Sequence, residues 1–206
     1  MVYARCSRQL MIRTLILLGG LSLLVDSGVF LSTASKAKVR KTHTASYTIT
    51  EEQWEKLVNK YAERMYIKDK DFAKQVVLAL EDSASEFDIN PWLIASVIRV
   101  ESSGNPDAVS PVGAIGLMQI MPETGRHIAK QMKMKDFSED KLYNPEINIR
   151  MGSFYLRQLL DRFKGNKKAA IAAYNWGPGH ISRRLANNEP LPVQYPSKVL
   201  KFHRSR

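Results

Sequence analysis

The chain has 206 residues, of which 44% are hydrophobic and 25% charged, with 31 Lys and Arg against 20 Asp and Glu for a formal charge of +11. That is enough apolar material for one ordinary globular domain and excludes two. A basic balance of this size suits an anionic polymer or a membrane face, and nucleic acid is only one such partner.

In chain order, Arg5, Arg8 and Arg13 precede an apolar run from Thr14 to Val25, and small residues follow, with Ser32-Thr33-Ala34 as a cleavage site. A charged start, a short apolar stretch and small residues after it make residues 1–34 a secretory signal peptide, with the periplasm or the outside of the cell as destination. An uncleaved anchor from Thr14 to Leu31 ranks below cleavage, because Asp26 would be costly near a bilayer centre. The single cysteine, Cys6, lies before the apolar run, on the wrong side for a lipid acceptor. Removing residues 1–34 takes away three Arg and one Asp, lowers the charge only to +9 and leaves no cysteine for a disulfide.

Residues 35–50 hold Lys36, Lys38, Arg40 and Lys41 without apolar periodicity and read as a basic linker. Thr50 is an expected N-cap, with Glu51 and Glu52 in the first turn of a helix to about Tyr66. A second helix is expected over 72–87, with Val76, Val77, Leu80 and Ala84 on one face. Residues 51–84 thus read as an N-terminal helical extension and 85–206 as the main domain. Asn90-Pro91 supplies an N-cap and a first helical residue, and Ser102-Ser103-Gly104-Asn105-Pro106 stops that helix. Residues 111–121 are apolar but too broken by glycine for a helix, which predicts a small irregular or hairpin element near 110–120. Pro122 opens a helix to about Met134. Asn144-Pro145 opens a long one in which Ile147, Met151, Phe154, Tyr155, Leu159 and Phe163 recur at helical spacing. Lys167 to Asn175 is the last clear helix, closed by Gly177-Pro178-Gly179. The fold class is mainly α.

Three segments carry chemistry. Glu101 falls on the apolar side of its helix, with Leu93, Ile94 and Val97, at the last turn. Desolvation there disfavours the ionised form, and the negative helix end pushes the same way, as a general acid requires. In Gly113-Ala114-Ile115-Gly116-Leu117-Met118-Gln119-Ile120-Met121-Pro122, two glycines three apart let backbones approach closely, and Gln119 can donate and accept toward a sugar. In Ala172-Ala173-Tyr174-Asn175-Trp176-Gly177-Pro178-Gly179, a Tyr and an Asn stand at a helix end beside a forced turn, where an aromatic can pack on a sugar ring. Each segment alone also has an ordinary reading: a Glu turned to water, a buried turn with a satisfied Gln, a core Tyr with a capping Asn.

Taken in order, Glu101-Ser102-Ser103-Gly104-Asn105-Pro106, GAIGLMQIMP and AYNWGPG closely resemble the motifs of the soluble-type lytic transglycosylases, of goose-lysozyme-like fold. The resemblance covers roughly residues 85–200 and includes Ala108-Val109-Ser110 and Asn144-Pro145-Glu146-Ile147-Asn148-Ile149. It implies a single catalytic domain with Glu101 as the catalytic carboxylate. Ser110, Met118, Gln119, Tyr174 and Asn175 take the positions of substrate-contacting residues. The chain departs from the family in two places. Val193-Gln194-Tyr195-Pro196 stands where many members carry Glu-Thr-x-x-Tyr-Val, which makes Tyr195 a further site residue. Trp176 replaces a commoner small residue before Gly177.

The reaction so implied cuts the β-1,4 bond between N-acetylmuramic acid and N-acetylglucosamine in peptidoglycan and leaves 1,6-anhydromuramyl ends, with one carboxylate as acid and then base. A hydrolytic muramidase of the same fold is the alternative and would need a second carboxylate; Asp107, Glu123 and Asp136 are the candidates. A non-catalytic glycan-binding module conflicts with the intact Glu101, and a nucleic-acid binder with the signal peptide and the lack of a binding motif. No cofactor is implied, and no metal, since His43, His127, His180 and His203 lack ligand-like spacing. The partners implied are peptidoglycan strands. General wall turnover and a dedicated role beside a secretion, pilus or conjugation apparatus both fit, and oligomeric state is left open. N-terminal sequencing of envelope-fraction protein should find a chain starting near Ser35; an intact Met1 in the cytosolic fraction would refute the signal-peptide reading.

Overall fold

The computed structural model describes residues 38–42 and 45–204. The described residues belong to one unit, and the segment 1–34, read as a signal peptide, lies outside them. Where the sequence suggested an irregular basic linker, the chain forms an antiparallel pair, β1 Lys38–Thr42 and β2 Ala45–Ile49, with Lys38 opposite Ile49 and Arg40 opposite Tyr47. Val39, Tyr47, Thr48 and Ile49 favour extended backbone through their side-chain shape, a preference that does not need an apolar stripe.

Helices follow: α1 Glu51–Met65, α2 Lys70–Glu86, α3 Pro91–Ser102, α4 Pro122–Gln131, α5 Pro145–Arg162, α6 Lys167–Trp176, α7 Pro178–Ala186 and α8 Gln194–Arg204, with a short 3₁₀ turn at Glu139–Tyr143. Their starts are written in side chains that cap orphan amides. Thr50 and Gln53 form a reciprocal capping box on α1. Asn90 accepts from the Trp92 amide ahead of Pro91, Asn144 from Ile147 ahead of Pro145, and Asn166 from Ala169. α7 and α8 lie beyond the last helix expected from sequence. The segment Gly177-Pro178-Gly179 does close α6, but Pro178 is also the first residue of α7, the position where its missing N–H costs nothing.

α3 is the hub. Its residues Leu93 to Ile98 are all buried, so it is enclosed on every side, against α1, α2 and α8. α5 packs on α2, α4 and α6, and the small side chains Ala169, Ala170, Ala172 and Ala173 let α6 lie close to its neighbours. The first two helices share this core through Trp54, Val58, Tyr61, Met65, Val76 and Leu80.

Between α3 and α4 the chain makes the small irregular element expected there, held by single bridges between Val109 and Ile115 and between Ile115 and Ile120. Its anchor is Asn148 of α5, fully buried. The side-chain oxygen accepts from the Met118 amide at 2.7 Å, while Nδ2 donates to Ile115 O at 3.0 Å and Leu142 O at 2.7 Å. Gly116 makes room for it: at φ +80°, a Cβ there would stand 2.4 Å from Asn148 Nδ2 and 2.5 Å from the Leu142 carbonyl. Gly152 has the same office one turn on, where a Cβ would meet Met118 Sδ at 2.5 Å. Asn148→Ala would strand the Met118 amide and the Leu142 carbonyl in a dry site, while the Ile115 carbonyl keeps the Ile120 amide as donor. It should cost about 2 kcal/mol or more, at ~1–3 kcal/mol for each unsatisfied group, measured as a lower midpoint in urea denaturation; a loss under about 1 kcal/mol would show that the anchor is dispensable.

Candidate active site

Glu101 stands in the last turn of α3, beside the Ser103 residue whose left-handed backbone (φ +51°) ends the helix. The next residue ties this turn to the irregular element: Ser102 Oγ donates to Leu117 O at 2.9 Å and accepts from the Gly104 amide at 3.2 Å. Glu101 opens into a cleft of about 760 Å³ whose walls come from α3, the α6–α7 junction, the loop Pro190–Val193 and α8. Asn175 and Tyr195 line that cleft with it, and Glu101 is its only carboxylate among the described residues.

Burial pushes the Glu101 carboxyl up from its ordinary 4.5 to about 7, and a hydrogen bond from Tyr195 pulls the other way. Tyr195 donates its hydroxyl to Glu101 Oε1. The hydroxyls of Tyr174 and Tyr195 are themselves held well above the ordinary phenol value, by burial first and by the nearby Glu101 second, so both stay protonated donors. With Oε1 accepting from Tyr195, Oε2 is the atom left to carry the acid proton.

The other residues expected at the site are distributed differently. Tyr174 donates to the Met118 carbonyl at 2.9 Å and lies 5.5 Å from the ring of Tyr155, which lines a second depression of about 750 Å³ with His127, Gln158 and Arg162. Gln119 spends both donors of its amide on backbone carbonyls, Ala108 at 2.9 Å and Gly116 at 3.0 Å, which leaves its oxygen as the group for a ligand. Its own φ is +49°. Ser110 turns its hydroxyl to the Ala114 amide at 3.0 Å. Met118 needs correcting as a residue that touches substrate: its side chain is fully buried against Gly152, and only its backbone takes part, between Asn148 and Tyr174. The methionine of this loop that reaches solvent is Met121, 39% exposed. The residues missed from sequence are the two anchors, Ser102 and Asn148. Ser102 and Asn148 lay inside segments singled out for their wording, but a polar residue on a helix gives no local sign of a partner fifteen or thirty positions away.

A mainly helical, lysozyme-like bundle that holds one desolvated carboxyl in a cleft of about 760 Å³ defines the class of molecule. The transglycosylase SLT domain model matches residues 79–194, and the chain belongs to that family. It is 42% identical over 102 residues to the soluble lytic murein transglycosylase of Salmonella typhimurium, covering 49% of this chain and 16% of the relative. It is 33% identical over 164 residues to the soluble lytic murein transglycosylase of Escherichia coli K12, covering 75% of this chain and 24% of the relative. The crystal structure of the 70 kDa soluble lytic transglycosylase of Escherichia coli superposes with a TM-score of 0.60 at 28% identity, over 73% of this chain and 28% of that one. The chain therefore spans about a quarter or less of the length of these relatives.

The raised carboxyl makes stability depend on pH with a definite sign. Below pH 4.5 Glu101 is neutral folded and unfolded; between 4.5 and about 7 the unfolded chain ionises first, so stability falls; above 7 the loss is complete and constant. The shift corresponds to a loss of roughly 3 kcal/mol at most. Glu101→Gln removes this term and should be more stable than the parent at pH 8 and nearly equal at pH 4, by urea denaturation at both values. Equal stability at pH 8 would mean that the carboxyl is not desolvated.

Proposed function

We propose that the chain cleaves the β-1,4 bond between N-acetylmuramic acid and N-acetylglucosamine in peptidoglycan as a lytic transglycosylase, with Glu101 as its one acid and base. The observation that carries this is the lone carboxyl in the cleft, pushed to about 7 by burial. The family supports it. So do the relatives, each a soluble lytic murein transglycosylase.

The reaction is the one the family resemblance implies, and the position of Glu101 in the cleft supports it. The neutral carboxyl gives its proton to the glycosidic oxygen as the bond from muramyl C1 to that oxygen breaks. The Tyr195 hydroxyl then steadies the carboxylate left behind, which accepts the proton of the muramyl 6-hydroxyl as that oxygen bonds to C1 of its own ring. The acid is restored, a 1,6-anhydro end forms and no water is consumed. A tethered hydroxyl in attack position competes with bulk water at effective molarities of up to ~10⁵–10⁸ M. Water would need a base on the opposite face of the ring. Asp107, Glu123 and Asp136, the candidates from sequence, are exposed and do not line this cleft, which favours the intramolecular route over the muramidase.

Asn175, the free oxygen of Gln119 and the ring of Tyr174 are the proposed substrate contacts, with Ser110 shaping the turn beside them. Residues 1–34 are the proposed export signal and 35–206 the working chain, in the periplasm or outside the cell. A role beside a secretion, pilus or conjugation apparatus and one in general turnover share this chemistry.

The test is digestion of purified sacculi in ¹⁸O-labelled water, with the released muropeptides read by mass spectrometry. Anhydromuramyl ends lighter by one water than hydrolytic products, and carrying no label, are expected; labelled reducing ends as the major product would reject the reading. Glu101→Gln should lower the rate by ~10²–10⁴ or more, and near-normal activity would remove Glu101 from its role.

A further inference from the structure

Trp176 ends α6 with 54% of its surface exposed, beside the cleft. It is held in position from behind. Gly177 turns the backbone at φ +80°, and His180 of α7 stacks on the indole, ring centroids 5.4 Å apart at 25°. The imidazole is in turn within 3.5 Å of the Arg183 guanidinium. Trp176 and His180 both line the cleft that contains Glu101. Across from them α8 presents Lys198, one turn after Tyr195 and so on the same face. Lys198 is exposed and has no ion pair or hydrogen bond among the described residues. The other cation of the cleft, Arg184, is engaged by the Pro190 carbonyl at 2.8 Å and by Glu189 at 3.6 Å.

We propose that Trp176 is a stacking platform for a sugar ring next to the scission point, and that Lys198 selects glycans whose substituents carry a carboxylate, as peptide-bearing muramyl residues do. This rests on the reading of the chain as a glycan-cleaving enzyme and adds a specificity to it. The chemistry is complementary. A pyranose offers an apolar face of C–H bonds that fits a flat, preoriented indole, and an ammonium on a flexible stem meets a carboxylate whose position varies with the substituent. A carbohydrate site with an aromatic floor and one unpaired cation favours an acidic, substituted glycan over a plain one.

The experiment uses the full chain carrying Glu101→Gln, so that ligand is bound but not cut, and two probes: chitotetraose, which has no peptide, and a GlcNAc–MurNAc tetrasaccharide bearing stem peptides. Binding is followed by calorimetry and by tryptophan emission, which reports chiefly on Trp176 because Trp54 is buried and Trp92 is stacked 4.0 Å from Tyr61. Both probes should blue-shift the emission. Trp176→Ala should weaken both by about two- to tenfold, the range of an aromatic contact, and Trp176→Phe should restore most of the loss. Lys198→Ala should weaken only the peptide-bearing probe, by about two- to fivefold, as one exposed ion pair would. Unchanged affinities in Trp176→Ala, or no binding of either probe, would overturn the platform; an equal effect of Lys198→Ala on both probes would overturn the selectivity. The parent chain's action on sacculi is assayed in parallel: cleavage there with unchanged probe binding in the variants rejects this inference alone, and absence of cleavage rejects the reading beneath it.

Discussion

Asn148 makes its three hydrogen bonds with a side chain that no water reaches, and each of them ends on backbone rather than on another side chain. The consequence is rigidity where the chain has no regular structure to supply it. The stretch from Ile115 to Met118 has neither helix nor ladder, so its amides and carbonyls need partners from outside. Asn148 provides two from the rigid α5, at Ile115 and Met118, Ser102 a third at Leu117 and Tyr174 a fourth at Met118. Two of those partners come from the segments that also carry Glu101 and Asn175. The loop and the carboxylate helix are therefore positioned by one network, and displacing either disturbs both.

That network surrounds a group that opposes folding. A carboxyl pushed to about 7 by burial is a cost at neutral pH, and the enclosed helix α3 with its run of buried residues is what outweighs it. Tyr195 sets the size of the cost. Its hydroxyl stabilises the ionised form, against the direction of burial, and brings the carboxyl close to the pH at which it can both release and regain a proton. Local rules are broken where chemistry is done and obeyed elsewhere.

The legibility of this molecule in its sequence followed the same line. Helix starts were readable because a cap is a local event: Thr50, Asn90-Pro91 and Asn144-Pro145 each act within three residues of themselves. The helical spacing placed Glu101 on an apolar face, and the family resemblance, not that pattern alone, singled it out from a Glu turned to water. α7 escaped because only Ile181 of its nine residues is buried, so it has almost no apolar stripe, and because a proline after a glycine signals an end as readily as a beginning. The inward turn of Met118 and the outward turn of Met121 escaped too, since an irregular loop has no period from which to tell inside from outside. The hairpin at 38–49 was passed over for a related reason, its preference lying in residue shape and not in pattern.

The contact between the first helix and the rest has a bearing on how such domains are exchanged between proteins. Trp92, at the start of α3, stacks on Tyr61 of α1, and Arg99 is clasped between the rings of Tyr66 and Phe202 at 3.9 and 4.0 Å while donating to the Arg64 carbonyl at 2.6 Å. The stretch that defines the family begins at residue 79, inside α2, and so leaves these partners out. A module cut at that boundary would bare the flank of α3 and loosen the seat of α8, whose Tyr195 touches Glu101. The smallest portable piece is accordingly larger than the shared motif, and any host that receives the motif alone has to furnish a surrogate for the cover that α1 gives here.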